Sequence, residues 1–145
     1  MTTTMSDAEL RQTNAALVKR YLELWDVPDV EAVGETLHPD VELEQGFPAP
    51  GAPGVLSGKA NVMELLRAAP TVLGPMNFRV TEISTLEDPN EVVVEYRGDS
   101  VVLESNKPYR NRYITRISVQ DGLIRRFCEY GNPLVVMEAF GTGSG

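Results

Sequence analysis

The chain has 145 residues, 42% hydrophobic and 23% charged, with a formal net charge of −8: the size and make-up of one soluble globular domain with a real core. The acidic balance excludes a nucleic-acid binder, which needs clustered Lys and Arg, and equally an anionic membrane surface; no apolar run reaches the roughly 18 residues of a bilayer span. A lone Cys128 excludes an internal disulfide and fits a reducing cytoplasm, and a lone His38 argues against a histidine-built metal site.

In chain order, "MTTTMSDAEL" carries neither a basic region nor an apolar stretch, so no secretory signal is expected. Residues 1–5 read as a flexible terminus, 6–141 as one domain and 142–145 ("GTGSG" closes the chain) as a disordered tail. Ser6 and Glu9 form a capping-box pattern. Leu10, Leu17, Tyr21, Leu24 and Trp25 then recur at three- and four-residue spacing, which predicts a helix to about Asp26, ended by Pro28. "DVEAVGETL" reads as a second short helix with Asp29 at its start, and "DVELEQGF" as a strand. "GFPAPGAPGVLSG", with its four glycines and three prolines, reads as a surface loop with no regular element. Ser57 is the candidate cap of a third helix, "GKANVMELLRAA", stopped by Pro70.

The remainder is β-branched and aromatic: "MNFRVTEIST", "EVVVEYRGDSVVLES", "YRNRYITRISV" and "LIRRFCEYG", separated by short turns, predict an antiparallel meander with a bulge at Gly98. Helices followed by a curved antiparallel sheet give an α+β domain in which three N-terminal helices cover one sheet face.

Glu129 is the candidate acid, and the turn "VQDGLI" decides which way it faces. A two-residue Asp121-Gly122 loop sets Gln120 against Leu123 and puts Glu129 opposite Ile114, among Arg112 and Arg116. A three-residue loop sets Val119 against Leu123 and puts Glu129 opposite Tyr113, on the face that holds Thr115, Ile117, Val119, Leu123 and Phe127. A shift of one residue inverts the face; grouping of the apolar side chains favours the second register. Glu129 then points toward the helices together with Tyr113, Asn111 and Tyr109. A carboxyl shielded from water rises in pKa and becomes an acid/base near neutrality, and Tyr and Asn beside it can hold a substrate oxygen. The bland alternative is a Glu paired with Arg125 or exposed at a sheet edge. Tyr21 and Trp25 are core or cavity lining. His38 reads as a surface loop residue, Glu42 and Glu44 as solvent-facing with Glu44 in reserve as an acid, and Cys128 as a buried spacer on the face opposite Glu129. Arg110, Arg112 and Arg116 form a basic stripe on that same opposite face.

"NRYI", "DGLI", "EYGNP" and the closing "AFG" occur in the order found in SnoaL-like proteins, and "GFPAPGAPGVLSGKANV" resembles the Pro/Gly loop before their third helix. The chain resembles this ketosteroid-isomerase-like (nuclear transport factor 2-like) superfamily over nearly its whole length. The resemblance implies a cone-shaped barrel of helices and strongly curved sheet around one deep pocket, as a homodimer. "EYGNP" is similar to a segment of phenazine-biosynthesis A/B proteins whose glutamate works as acid/base; Glu129 matches it, while the His and Ser that accompany it there have no counterpart. "LVKRYLELWDVPDVEAV" resembles the first two helices of ketosteroid isomerase. Tyr21 falls at its oxyanion tyrosine, Gln45 at its base aspartate and Tyr113 at its protonated aspartate. The expectation is a cytoplasmic, cofactor-independent isomerase, lyase or cyclase acting on a small hydrophobic natural-product intermediate. Glu129 is its acid/base, and Tyr113, Asn111, Tyr109, Tyr21, Trp25, Gln45 and Phe47 bind substrate. A non-catalytic binding protein of the same fold, or a structural partner of a catalytic homologue, are the other readings.

Overall fold

A computed structural model of the chain describes residues 4–26 and 29–141. Pro28, expected to end the first helix, lies outside the described residues, as do residues 1–3 and the whole 142–145 tail. Ser6 caps as its pattern predicts: its hydroxyl accepts from the Glu9 amide at 3.1 Å and donates to the Glu9 carboxylate at 3.0 Å. Helix α1 (Asp7–Glu23) follows. Asp29 accepts from the Ala32 amide and opens α2 (Val30–Glu35).

Strand β1 (Leu37–Gln45) starts earlier than the alternation suggested and takes in His38. His38 is therefore a strand residue rather than a surface loop residue: its side chain is only 12% exposed and Nδ1 accepts the Asp40 amide at 3.0 Å. The Pro/Gly segment also holds a regular element. Its turn chemistry ends at Gly54, and β2 (Val55–Ser57) pairs antiparallel with β1. Ser57 is thereby committed to a strand, and its hydroxyl donates to Glu42 at 3.4 Å. The cap of α3 (Lys59–Val72) falls instead to Gly58, in the left-handed region at φ 87°. Pro70 does not stop α3, because it sits in the last turn, where a missing amide opens little of the ladder, and Leu73 N–H still reaches Ala69 O at 2.9 Å.

The rest is β3 (Arg79–Thr85), β4 (Glu91–Val101), β5 (Pro108–Gln120) and β6 (Leu123–Gly131), then a short helix α4 (Pro133–Ala139). Six strands form one open sheet in the order β2-β1-β6-β5-β4-β3. The α+β architecture of curved sheet and covering helices stands, but the sheet does not close and is not wholly antiparallel. β1 runs parallel to β6, since α3 and the meander between them supply the long connection that a parallel pair needs. The core lies between helices and sheet, where Val18, Leu22, Val92, Val94, Ile117 and Ile124 are fully buried or nearly so.

Gly98 makes no bulge. The pairing Arg97↔Arg112, Gly98↔Asn111, Asp99↔Arg110 runs unbroken. A Cβ at 98 would instead lie 3.2 Å from the Phe78 ring and 3.3 Å from the Tyr113 ring, so crowding by aromatic rings calls for glycine there.

The β5–β6 hairpin follows neither simple register throughout. Its turn is the two-residue one: Asp121 (φ 55°) and Gly122 (φ 74°) are both left-handed, and Gln120 pairs with Leu123. Pairing then jumps from Val119↔Ile124 to Ser118↔Arg126, leaving Arg125 as an extra residue in a β-bulge. Beyond the bulge Glu129 pairs with Thr115, not with Tyr113 or Ile114, and faces inward. The bulge lets the chain combine the favoured Asp-Gly turn with grouped apolar faces. Gly122→Val should lower stability by about 1–2 kcal/mol, the cost of a left-handed β-branched residue, read as a lower urea midpoint at unchanged m-value.

Candidate functional site

The inner face of the sheet bends around a chamber of about 400 Å³. Tyr21 comes from α1 and Trp25 from the turn just after it, Leu66 and Ala69 from α3, and Phe140 from just beyond α4; Tyr96, Tyr113, Phe127 and Glu129 rise from the sheet. Glu129 is the one carboxylate among the described lining residues. A second chamber of about 190 Å³ lies under the Pro/Gly segment, lined by Phe47, Ala49, Ala52, Pro133 and Val136. Gln45, Tyr109, Tyr113 and Glu129 line both chambers and form the neck between them.

Glu129 is held from two directions. Its backbone carbonyl accepts the Gly46 amide at 2.8 Å, which pins β6 to the end of β1, where Gln45 pairs with Glu129. Its Oε2 accepts the Tyr96 hydroxyl at 3.2 Å, and Tyr96 also bonds Thr115 Oγ1 at 2.8 Å. With the single Tyr96 proton on Glu129, Thr115 is the donor of that second bond. Burial pushes the Glu129 carboxyl up from 4.5 to about 7, against the hydrogen bond from Tyr96, which acts to lower it. Arg125 does not pair with it.

The tyrosines stay protonated. Burial, and after it the charge of Glu129, raises Tyr21 and Tyr96; burial, then Tyr109, then Glu129 raises Tyr113. Tyr109 is also raised, chiefly by burial. Tyr113 donates to the Tyr109 hydroxyl at 3.0 Å, and Asn111 Nδ2 approaches the same oxygen at 3.4 Å. Tyr109 therefore accepts twice and keeps its own proton for the chamber. Asn111 is otherwise committed: Nδ2 donates to Asn132 O at 3.2 Å, and Oδ1 accepts the amides of Arg112 and Asn132. It ties β5 to the start of α4. The Gln45 amide lies beside Glu129 and lines both chambers.

Of the residues singled out from sequence, Glu129, Tyr113, Tyr109, Tyr21, Trp25 and Gln45 come together around the large chamber. Asn111 and Phe47 line only the smaller one; Phe47 is 63% exposed and packs against Tyr130 at 5.5 Å. Glu44, the reserve acid, faces the other side of the sheet, where it meets Arg126 at 3.2 Å and accepts from Cys128 at 3.0 Å. On that outer side Arg110 pairs with Asp99 and Arg116 with Glu91.

The sequence reading passed over Tyr96, the direct partner of the acid, and placed Thr115 on the inner face without a role there. The alternation Val92, Val94, Tyr96, each 2% exposed or less, was the available signal. Tyr96 stacks on Tyr113 with ring centres 5.0 Å apart, and Phe78 meets it edge-on at 5.1 Å. Helix α4 was also passed over, although Asn132-Pro133 is a cap followed by a first-turn proline.

Residues 18–127 match the model of the SnoaL-like domain, ending just short of Glu129. The chain belongs to the SnoaL-like family. It is 33% identical over 124 residues to the uncharacterized protein YesE of Bacillus subtilis, covering 86% of this chain and 76% of that one. It is 26% identical over 143 residues to the phenazine biosynthesis protein PhzB of Pseudomonas fluorescens, covering 93% and 85%. A crystal structure of a candidate isomerase from Bacillus subtilis superposes with a TM-score of 0.86 at 28% identity, over 97% of this SnoaL-like chain and 98% of that one. The fold is thus the nuclear transport factor 2-like one. No helix among the described residues is long and apolar enough to cross a membrane.

The raised carboxyl has a signature in stability. Folding holds the Glu129 proton more tightly than the unfolded chain does, so native stability falls as pH rises from about 4.5 through about 7 and levels off above. Glu129→Gln removes that titration. The stability of the native protein minus that of this variant should fall by on the order of 2 kcal/mol between pH 5 and 8, read by urea denaturation at each pH. Tyr96→Phe, which removes the opposing hydrogen bond, should move the Glu129 titration further alkaline in carboxyl carbon NMR.

Proposed function

We propose that the protein is a cofactor-independent acid/base enzyme that moves a proton on a small hydrophobic ketone or phenol of natural-product type. What carries this reading is a single carboxyl near neutral pKa, facing an apolar chamber and supported by Tyr96. Its relative PhzB, by name a phenazine biosynthesis protein, lends weight to an intermediate of secondary metabolism.

In this mechanism ionised Glu129 takes the proton from a carbon next to the carbonyl. The C–H bond breaks, and its electron pair moves through the new C=C bond onto the carbonyl oxygen. Tyr96 holds Oε2, so Oε1 is the oxygen that receives the proton. Tyr109, with Tyr113 donating to it, and the Gln45 amide stabilise the enolate oxygen. Tyr21 from α1 and Trp25 from the turn after it bracket the ring system. Return of the proton from Glu129 to a different carbon gives an isomer; its delivery to a departing hydroxyl β to the carbanion releases water in a dehydration, and its delivery to the alkoxide formed when the enolate attacks a second carbonyl completes a cyclisation.

The probe is 2-tetralone, a bicyclic ketone with acidic α-hydrogens. Native protein should speed exchange of those hydrogens in D₂O, followed by proton NMR, and the rate should rise with pH through a limb near 7. Glu129→Gln should reduce the catalysed exchange by about 10²–10⁴-fold while ligand affinity survives. Equal exchange in the variant removes Glu129 from the mechanism. Affinity with no exchange above background in the native protein leaves the second reading, a binding protein of the same fold.

The reading includes a homodimer formed on the outer sheet face. There Arg79, Arg97 and Arg112 lie side by side across three strands, next to a row of Glu82, Glu95 and the 47%-exposed Ile114. Like charges directly opposed are unfavourable. A twofold axis between the two rows sets the basic row of one copy on the acidic row of its partner. Light scattering at micromolar concentration should give a dimer at low salt, weakened by Arg97→Glu; a monomer at all concentrations tested removes it.

A further inference from the structure

The two chambers meet at Glu129, and they differ in size and in kind. The larger holds about 400 Å³ and is walled by aromatic and aliphatic groups, room for a fused ring system. The smaller holds about 190 Å³, and away from the neck its walls are small or apolar: Phe47, Ala49, Ala52, Gly131, Pro133 and Val136. The neck carries most of the polar groups, namely Glu129, Gln45 and the Tyr109–Tyr113 hydroxyl pair. The one further polar side chain of the smaller chamber, Asn111, already bonds Asn132 and Tyr109. The smaller chamber is also built in part by a defined turn, with the Ala52 amide on Ala49 O at 3.0 Å.

We infer that the ligand is bipartite: a ring system in the large chamber, a short apolar arm of a few carbons in the small one, and the carbon that joins them at the neck beside Glu129. This rests on the acid/base reading for what happens at that carbon, but not for how the molecule binds. Ala49 and Ala52 are then the residues that set the permitted length of the arm. A larger side chain at either position fills the space the arm needs.

The test compares 2-tetralone with 1-propyl-2-tetralone, whose arm leaves from the acidic carbon. Trp25, the only tryptophan, lines the large chamber, so its fluorescence reports binding of either ketone. The propyl compound should bind native protein about tenfold more tightly, less than full burial of its three carbons would give. Ala52→Phe should bring the ratio of the two affinities to about one. Ala49→Leu, a milder change on the same turn, should reduce the ratio in part and guards against a misfolded first variant. Equal affinities in native protein, or a ratio that survives both substitutions, overturns the proposal, and absence of quenching by either ketone rejects the ring class. Failure of the Glu129 chemistry looks different: both affinities persist and only the exchange is lost.

Discussion

A carboxyl lining an apolar chamber must give up most of its hydration, and everything around Glu129 answers that single cost. Burial alone disfavours the ionised form, and one tyrosine hydroxyl restores part of the loss, so the group is balanced near neutrality rather than locked in either state. A guanidinium at the same place would hold the proton off throughout the physiological range. Arg110 and Arg116 of β5 and Arg126 of β6 lie on the far side of the sheet, where they meet exposed or partly buried acids. The bulge at Arg125 is what sorts these charges, since it shifts the strand by one residue between the turn and Glu129.

Glycines set the second constraint. The inner face carries Tyr96, Tyr113 and Phe78 in mutual contact, and rings of that size leave no space for a neighbouring Cβ. Gly98 and Gly131 flank the Tyr113 ring, each so close that a methyl would stand about 3.0–3.3 Å from it. On the outer side Gly46 lies beneath Tyr130, where a Cβ would come within 2.1 Å of the ring. The two glycines inside and the one outside thus serve one purpose, the close approach of aromatic faces to backbone.

Much of this was legible in the residues. Capping at Ser6, the four long strands and the resemblance of "EYGNP" led to the right architecture and to a glutamate facing the helices. The local argument for that facing was nevertheless incomplete. It treated the hairpin as one register, whereas a favoured two-residue turn and a grouped apolar face are reconciled by a bulge that no single residue announces. Pro70 and Ser57 misled because punctuation rules describe isolated elements: a proline in a final turn costs little, and a serine held in a strand cannot cap. Tyr96 went unremarked because it alternates with valines and looks like plain core until its hydroxyl is seen to meet a carboxylate. The parallel pairing of β1 with β6 depends on where distant segments meet, which periodicity does not encode.

The bond from the Gly46 amide to the Glu129 carbonyl joins backbone to backbone, so no side chain beyond Gly46 in the Pro/Gly segment takes part in it. It stands where the acid's strand meets the first residue of the Pro/Gly segment. Residues farther along that segment can therefore be exchanged, lengthened or shortened while the carboxylate stays put. The wall of the smaller chamber is thereby separable from the strand that carries the carboxyl, and descendants of this chain can reshape the one without moving the other.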